Sequence, residues 1–481
     1  MTEDLCYLSA TEALRRFRSR DLSPVELMEA VIARAEVVEP TINAFAFTRY
    51  EEAIREARAA ETRYARRGEP PRPLEGIPLA IKDETAVAGQ PMTNASLLFA
   101  DDVAEETSPY AARMLDAGAI QHARSTAPEF SCAGFTHSRL HGVTRNPWNP
   151  EFGCGGSSGG SGASLAAGST TLAAGSDIGG SIRIPASFCG VVGFKAPYGR
   201  VPVEPPFNLD SYCHNGGLAR TVADMALFQN VLAGPHPMDV FSLRPRYELP
   251  SDLAGVEGLR VALSPGLGSY PLDPEVERNA QAAADALRAA GAIVEEVDLV
   301  VDSDDVRRAA AMHFTANFGA WVGSVTAERR ELATGYAIAF VEQFARDSEG
   351  MTVPDGLDCE VRVWTPIAAV LERYDALLCA TCGTRGLIAG DDYADHGLEV
   401  GGVDVPFYFQ SLLTPVFNIA SACPVLAVPS GVATNGVPTG VQIVGRTYDD
   451  VTPFRLGAAL ERERPWLHER SARPRLPVTA G

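Results

Sequence analysis

FGCGGSSGGSGASLAAGSTTLAAGSDIGGSIRIPASFCGVVGFK, residues 152–195, sets two Gly-Ser clusters around one segment of small side chains. Glycine lets a backbone take positive φ and approach a ligand closely, and serine offers a hydroxyl that can be nucleophile, proton carrier or hydrogen-bond partner. Flexible linkers share that composition. This stretch is not patterned as one, because Leu165, Leu172, Ile178, Ile182, Ile184, Phe188, Val192 and Phe194 interleave it with apolar side chains. A buried Gly-rich segment of this kind predicts an anion hole beside a nucleophile.

Three catalytic templates compete for it. A phosphate-binding P-loop needs G-x-x-x-x-G-K-[ST], and no lysine follows Gly159, Gly160 or Gly162. The nucleophile-elbow pattern G-x-S-x-G matches at Gly155–Gly159, but it arises easily in such composition. A Ser-His-acid triad would also need a downstream acid and histidine, and His214, His313, His396 and His468 stand in no catalytic context. The third template needs no histidine. Upstream, Gly76-Ile77-Pro78-Leu79-Ala80-Ile81-Lys82-Asp83 ends an apolar run, read as a short buried strand, on a lysine.

Taken together, LEGIPLAIKDE around Lys82, GVTRNPWNP, GGSSGGSGA and GSDIGGSIRIPASFCGVVGFK resemble the amidase signature family of serine hydrolases over about residues 74–200. The resemblance implies that Lys82 is the catalytic lysine, Ser157 a bridging serine in a cis peptide and Ser181 the acylated nucleophile. It also implies an oxyanion hole in the backbone of Ile178, Gly179, Gly180 and Ser181. Ser158, Asp177 and Arg183 would support that loop, the last two either as a pinning ion pair or as a surface pair of little energetic value. Phe194-Lys195-Ala196-Pro197-Tyr198 departs from the Leu-Lys-Pro-Thr-like run that members often carry there.

The chemistry explains the residue types. A serine hydroxyl is a weak nucleophile at neutral pH and needs a base within hydrogen-bond reach. Ser157 would relay the Ser181 proton to Lys82, which accepts it only when burial has lowered its pKa from about 10.4. A neutral-to-alkaline activity optimum follows. Each oxyanion donor is worth ~2.7–4 kcal/mol.

Length, 481 residues, and 46% hydrophobic content support a large core. No run approaches the ~20 apolar residues of a membrane span, and MTEDLCYLSA lacks a signal-peptide pattern, so the expected setting is cytoplasmic, without a membrane partner. A net charge of −20 opposes nonspecific nucleic-acid binding. Nine scattered cysteines give no disulfide framework, and the lone Cys379-Ala-Thr-Cys382 is read as buried thiols; no metal and no cofactor are expected.

Along the chain, Ser23-Pro24-Val25-Glu26 is a capping box opening a helix; further helices are expected near 51–67, capped by Gly68, then 109–118, 221–232, 274–290 and 450–463. Strands are expected near 119–123, 260–263, 293–297, 425–429 and 440–444. A Pro-rich connector spans about 234–252. The reading is one α/β domain over 1–481, an α/β/α sandwich with a mixed central β-sheet covered by helices. It comprises a helical layer (1–70), the core with the catalytic residues (71–233) and a second half (253–475) completing sheet and pocket.

Substrate contacts are expected at Ser131 and Cys132, whose small side chains leave room for a bulky acyl group, with aromatic candidates in 313–318 and 407–409, where core packing is the alternative. The expected reaction is hydrolysis of a small-molecule amide to a carboxylate plus ammonia or amine. The alternative is the glutaminase subunit of a tRNA-dependent amidotransferase, against which stands the lack of a GYYDAYY-like stretch between 300 and 420. A homodimer is left open.

Overall fold

Eleven strands form one mixed sheet in this computed structural model, which describes residues 2–66, 70–467 and 470–476. In chain order they are β1 (Phe45–Thr48), β2 (Pro78–Lys82), β3 (Ile120–Ser125), β4 (Leu172–Asp177), β5 (Val192–Lys195), β6 (His214–Ala219), β7 (Arg260–Leu263), β8 (Ile293–Glu296), β9 (Ala376–Ala380), β10 (Val425–Val432) and β11 (Pro438–Gly445). Across the sheet they run β1-β3-β2-β4-β6-β5-β10-β11-β9-β7-β8. β2 lies parallel to β3 and β4, and β7 parallel to β8 and β9; the remaining pairs are antiparallel.

β2 and β9 are buried at every position, which is why PLAIK and ALLCA read as unbroken apolar runs: helices cover both faces. The helix Pro24–Ile42 opens on the Ser23/Glu26 capping box. Tyr50–Ala65 follows, capped at Arg66; the expected Gly68 cap and His468 lie outside the described residues. Pro109–Asp116, Val222–Leu232, Pro274–Ala289 and Val451–Glu463 stand within two residues of their expected bounds. The pair near 425–444 is longer than expected, because its pairing continues through a register shift between Pro429 and Gly431.

The chain is a single α/β domain. β10 of the second half pairs with β5 of the first, Val425 opposite Lys195 and Ala427 opposite Gly193. Residues 234–252 carry no helix or strand, and Val240 and Phe241 are 73% and 48% exposed. Among the described residues no helix is long and apolar enough to cross a membrane.

Candidate active site

Lys82 is the last residue of β2, and its neighbour β4 runs parallel to end at Asp177, so both chains deliver side chains at their carboxyl ends. In open α/β sheets that edge is where ligands bind. Lys82 is wholly buried. Its Nζ donates to Ser157 Oγ at 2.7 Å and to Ser176 Oγ at 3.0 Å, and lies 3.0 Å from Glu84 Oε1. Burial pushes the Lys82 pKa below its ordinary value, against the Glu84 carboxylate, which favours the ammonium. Burial works against the Glu84 charge too, yet Lys82 and hydrogen bonds from Ser131 and Ser176 hold its carboxyl below the usual range.

Ser157 enters on a cis Gly156–Ser157 peptide and precedes the helix Gly159–Ala167. That helix sits close because Gly160 has no side chain: a Cβ there would lie 2.4 Å from the Thr126 backbone nitrogen. Ser181 stands between β4 and the helix Arg183–Cys189, 7% exposed, and its carbonyl accepts the Ser158 N–H at 3.0 Å, tying the two serine loops together.

The Asp177–Arg183 pair is buried, not a surface pair. Asp177 accepts from Arg183 Nε at 2.9 Å and Nη2 at 2.8 Å, from Gly180 N–H at 2.8 Å and from Asn418 Nδ2 at 2.9 Å. Arg183 donates onward to the Thr414 carbonyl at 2.9 Å and to Gln442 Oε1 at 2.7 Å. Burial would raise the Asp177 pKa, but the guanidinium outweighs it and holds the carboxyl well below the carboxylate range. One of the four expected anion-hole amides, Gly180 N–H, is thus committed to Asp177. The N–H groups of Ile178, Gly179 and Ser181 donate to no group among the described residues. Gly180 takes φ +123°, and a Cβ would come within 2.0 Å of Thr414 Oγ1.

A cavity of about 380 Å³ opens beside these groups, reaching Glu84, Ser131, Ser157, Ser176, Asp177 and Ile178; Ser181 is not on its wall. Its wall also carries Phe207, Phe318, Trp321, Glu204 and His214, the last paired with Asp177 across β4 and β6. Of the two expected contacts, Ser131 lines the cavity and donates its hydroxyl to Glu84. Cys132 does not: it packs in an apolar cluster with its thiol on the Glu129 carbonyl at 3.2 Å. Phe130 and Ser131 take φ of 53° and 58°, a left-handed pair that turns the chain just before Cys132. The Glu129 carboxylate anchors the turn, accepting from Ser96 Oγ at 2.6 Å and from Thr334 Oγ1 at 2.7 Å.

Of the aromatic candidates, only Phe318 reaches this cavity. His313 stacks on Tyr212 at 3.6 Å and bonds Asp210 at 2.7 Å, Phe314 is buried in the core, and Phe407 and Phe409 border a separate hollow of about 100 Å³. Tyr408 is a core residue whose hydroxyl accepts the Gly134 N–H. Sequence reasoning missed Glu84 and Ser176. Both lie inside the quoted motifs, two residues after Lys82 and five before Ser181, and a buried lysine needing partners is the signal that could have found them.

No group of three or more His, Cys, Asp or Glu side chains among the described residues is placed to hold a metal ion, and Cys379 and Cys382 are buried free thiols.

The family model described as Amidase matches residues 26–453. An acylamidase of Rhodococcus erythropolis is 33% identical over 98% of this chain and 99% of its own length. The A-type subunit of the glutamyl-tRNA(Gln) amidotransferase of Thermosynechococcus vestitus is 32% identical over 95% of this chain and 98% of its own. Among solved structures, a bacterial aryl acylamidase superposes with a TM-score of 0.87 at 30% identity, covering 95% of this chain and 96% of that one. With a family model matched across most of its length and relatives aligned nearly end to end, the chain belongs to the amidase family, the amidase signature enzymes.

Proposed function

We propose that this amidase hydrolyses a small-molecule carboxamide or related acyl-nitrogen compound through an acyl-enzyme on Ser181. The observation that carries the reading is the 2.7 Å contact between Lys82 Nζ and Ser157 Oγ in a buried niche that opens on a cavity. Ser181 Oγ forms a bond to the amide carbon while its proton passes to Ser157 and the Ser157 proton passes to neutral Lys82. The tetrahedral oxyanion is held by the free N–H groups of Ile178, Gly179 and Ser181. Asp177, braced by Arg183, fixes the Gly180 amide and so the curve of that loop, and Ser158 ties it to Ser157. The carbon–nitrogen bond breaks as the relay returns a proton to the amine. Water then cleaves the ester by the same route reversed, giving the carboxylate.

A second reading, the glutaminase component of a tRNA-dependent amidotransferase, draws on the similarity to the glutamyl-tRNA(Gln) amidotransferase chains. Release of ammonia or amine from aliphatic amides, aryl amides, anilides and glutamine separates the two. Turnover by the purified chain, lost in Lys82→Ala and Ser181→Ala, is the expected result. Activity on glutamine alone, or only with partner proteins added, would establish the second reading instead.

A further inference from the structure

Three carboxylates reach the cavity beside the serines: Glu84, Asp177 and Glu204. Glu84 has Lys82 at 3.0 Å and Asp177 has Arg183 at 2.8 Å, so their charges are compensated within the protein. Glu204 is different. Its Oε2 accepts from the Asn215 amide at 3.0 Å, and among the described residues no lysine or arginine stands within ion-pair distance of it. No lysine or arginine lines the cavity either.

Next to Glu204, His214 lines the same wall, 5% exposed, with an Nε2 that has no hydrogen-bond partner. Burial and the neighbouring Lys195 charge keep this imidazole neutral, so it adds no second cation to the wall. Burial also raises the Glu204 pKa, meaning that its charge is costly where it stands and would be offset by an arriving cation. Aromatic rings form another part of the wall: Phe318 and Trp321 stack with ring centres 5.9 Å apart, and Phe207 meets Trp321 edge-on at 6.0 Å. Such rings accept both a hydrocarbon body and the near edge of an ammonium group.

We propose that the cavity selects amides carrying a protonated amine on an apolar body, with Glu204 as the residue that determines this specificity. The inference rests on the amidase reading for its reaction, and it adds the chemical class of the substrate.

The test uses paired benzamides of matched shape: 4-(aminomethyl)benzamide against 4-ethylbenzamide, and 4-(3-aminopropyl)benzamide against 4-butylbenzamide. The purified chain is expected to favour the ammonium member of at least one pair by about tenfold or more in kcat/KM, as a charge-assisted contact implies. In Glu204→Gln that ratio should collapse toward one, and in Glu204→Asp, which keeps the charge, it should largely return. Ratios at or below one for both pairs, or an undiminished ratio in Glu204→Gln, would overturn the proposal. Calorimetry of the same compounds on Ser181→Ala separates the two layers. Ammonium-selective binding without turnover by the parent chain sinks the amidase reading and supports the Glu204 subsite; turnover without selectivity sinks the subsite alone. Neither turnover nor selective binding sinks both.

Discussion

Glu84 sets how much of Lys82 is in the proton-accepting form. Its carboxylate 3.0 Å away favours the ammonium, while burial favours the neutral amine. Removing that charge in Glu84→Gln should therefore lower the Lys82 pKa further. Because the proposed relay needs neutral Lys82, the acidic limb of the pH profile of kcat/KM should move to lower pH by about one unit; an unmoved limb, or one displaced upward, would take the base role from Lys82. At Gly180 the constraint is steric. Gly180→Ala adds a Cβ within 2.0 Å of Thr414 Oγ1 at φ +123°, so kcat should fall about a hundredfold or more as the loop amides are displaced. That Lys82 and Ser157 stand together was legible because the motifs fix their chemical context. Glu84 and Glu204 were not, since in a chain of net charge −20 a lone glutamate reads as a solvated face until burial is seen.

At the scale of elements, β4 and the helix Arg183–Cys189 are locked by the buried Asp177–Arg183 pair. Arg183→Met strands the Asp177 charge and should cost about 3–5 kcal/mol in urea unfolding at pH 7. The sign with pH follows from linkage. A depressed folded pKa contributes stability above the unfolded value near 3.9, lost as pH falls through the folded one. The deficit of the variant should accordingly shrink below about pH 4; a deficit unchanged down to pH 3 would place its origin in packing instead. The elements that sequence patterning located best are those with local signals, such as the capping box at Ser23 and the proline-opened helices at Pro109 and Pro274. The left-handed pair Phe130–Ser131 eluded it, because nothing in EFSCA marks a turn; tertiary anchors on Glu129 impose it. For the same reason Ser131 and Cys132 could not be told apart as pocket and core.

At the scale of the molecule, the two halves share one sheet, and the Pro-rich connector is no boundary. Cleavage at the exposed Val240–Phe241 should leave both fragments together in gel filtration without denaturant, held by the β5–β10 seam and by the buried Arg200–Asp450 pair at 2.9 Å. Separation of the fragments would mean that the seam contributes little. The bonds that Arg183 makes to Thr414 and Gln442 carry a further consequence, one of timing. On a translating ribosome the loop carrying Ser181 emerges some 260 residues before the last of the groups that brace it. At about 5–20 residues per second, that is a wait of roughly 13–50 s in which the serines are exposed but their scaffold is unfinished. A nascent chain therefore cannot brace the Ser181 loop fully until residues far beyond it have been made.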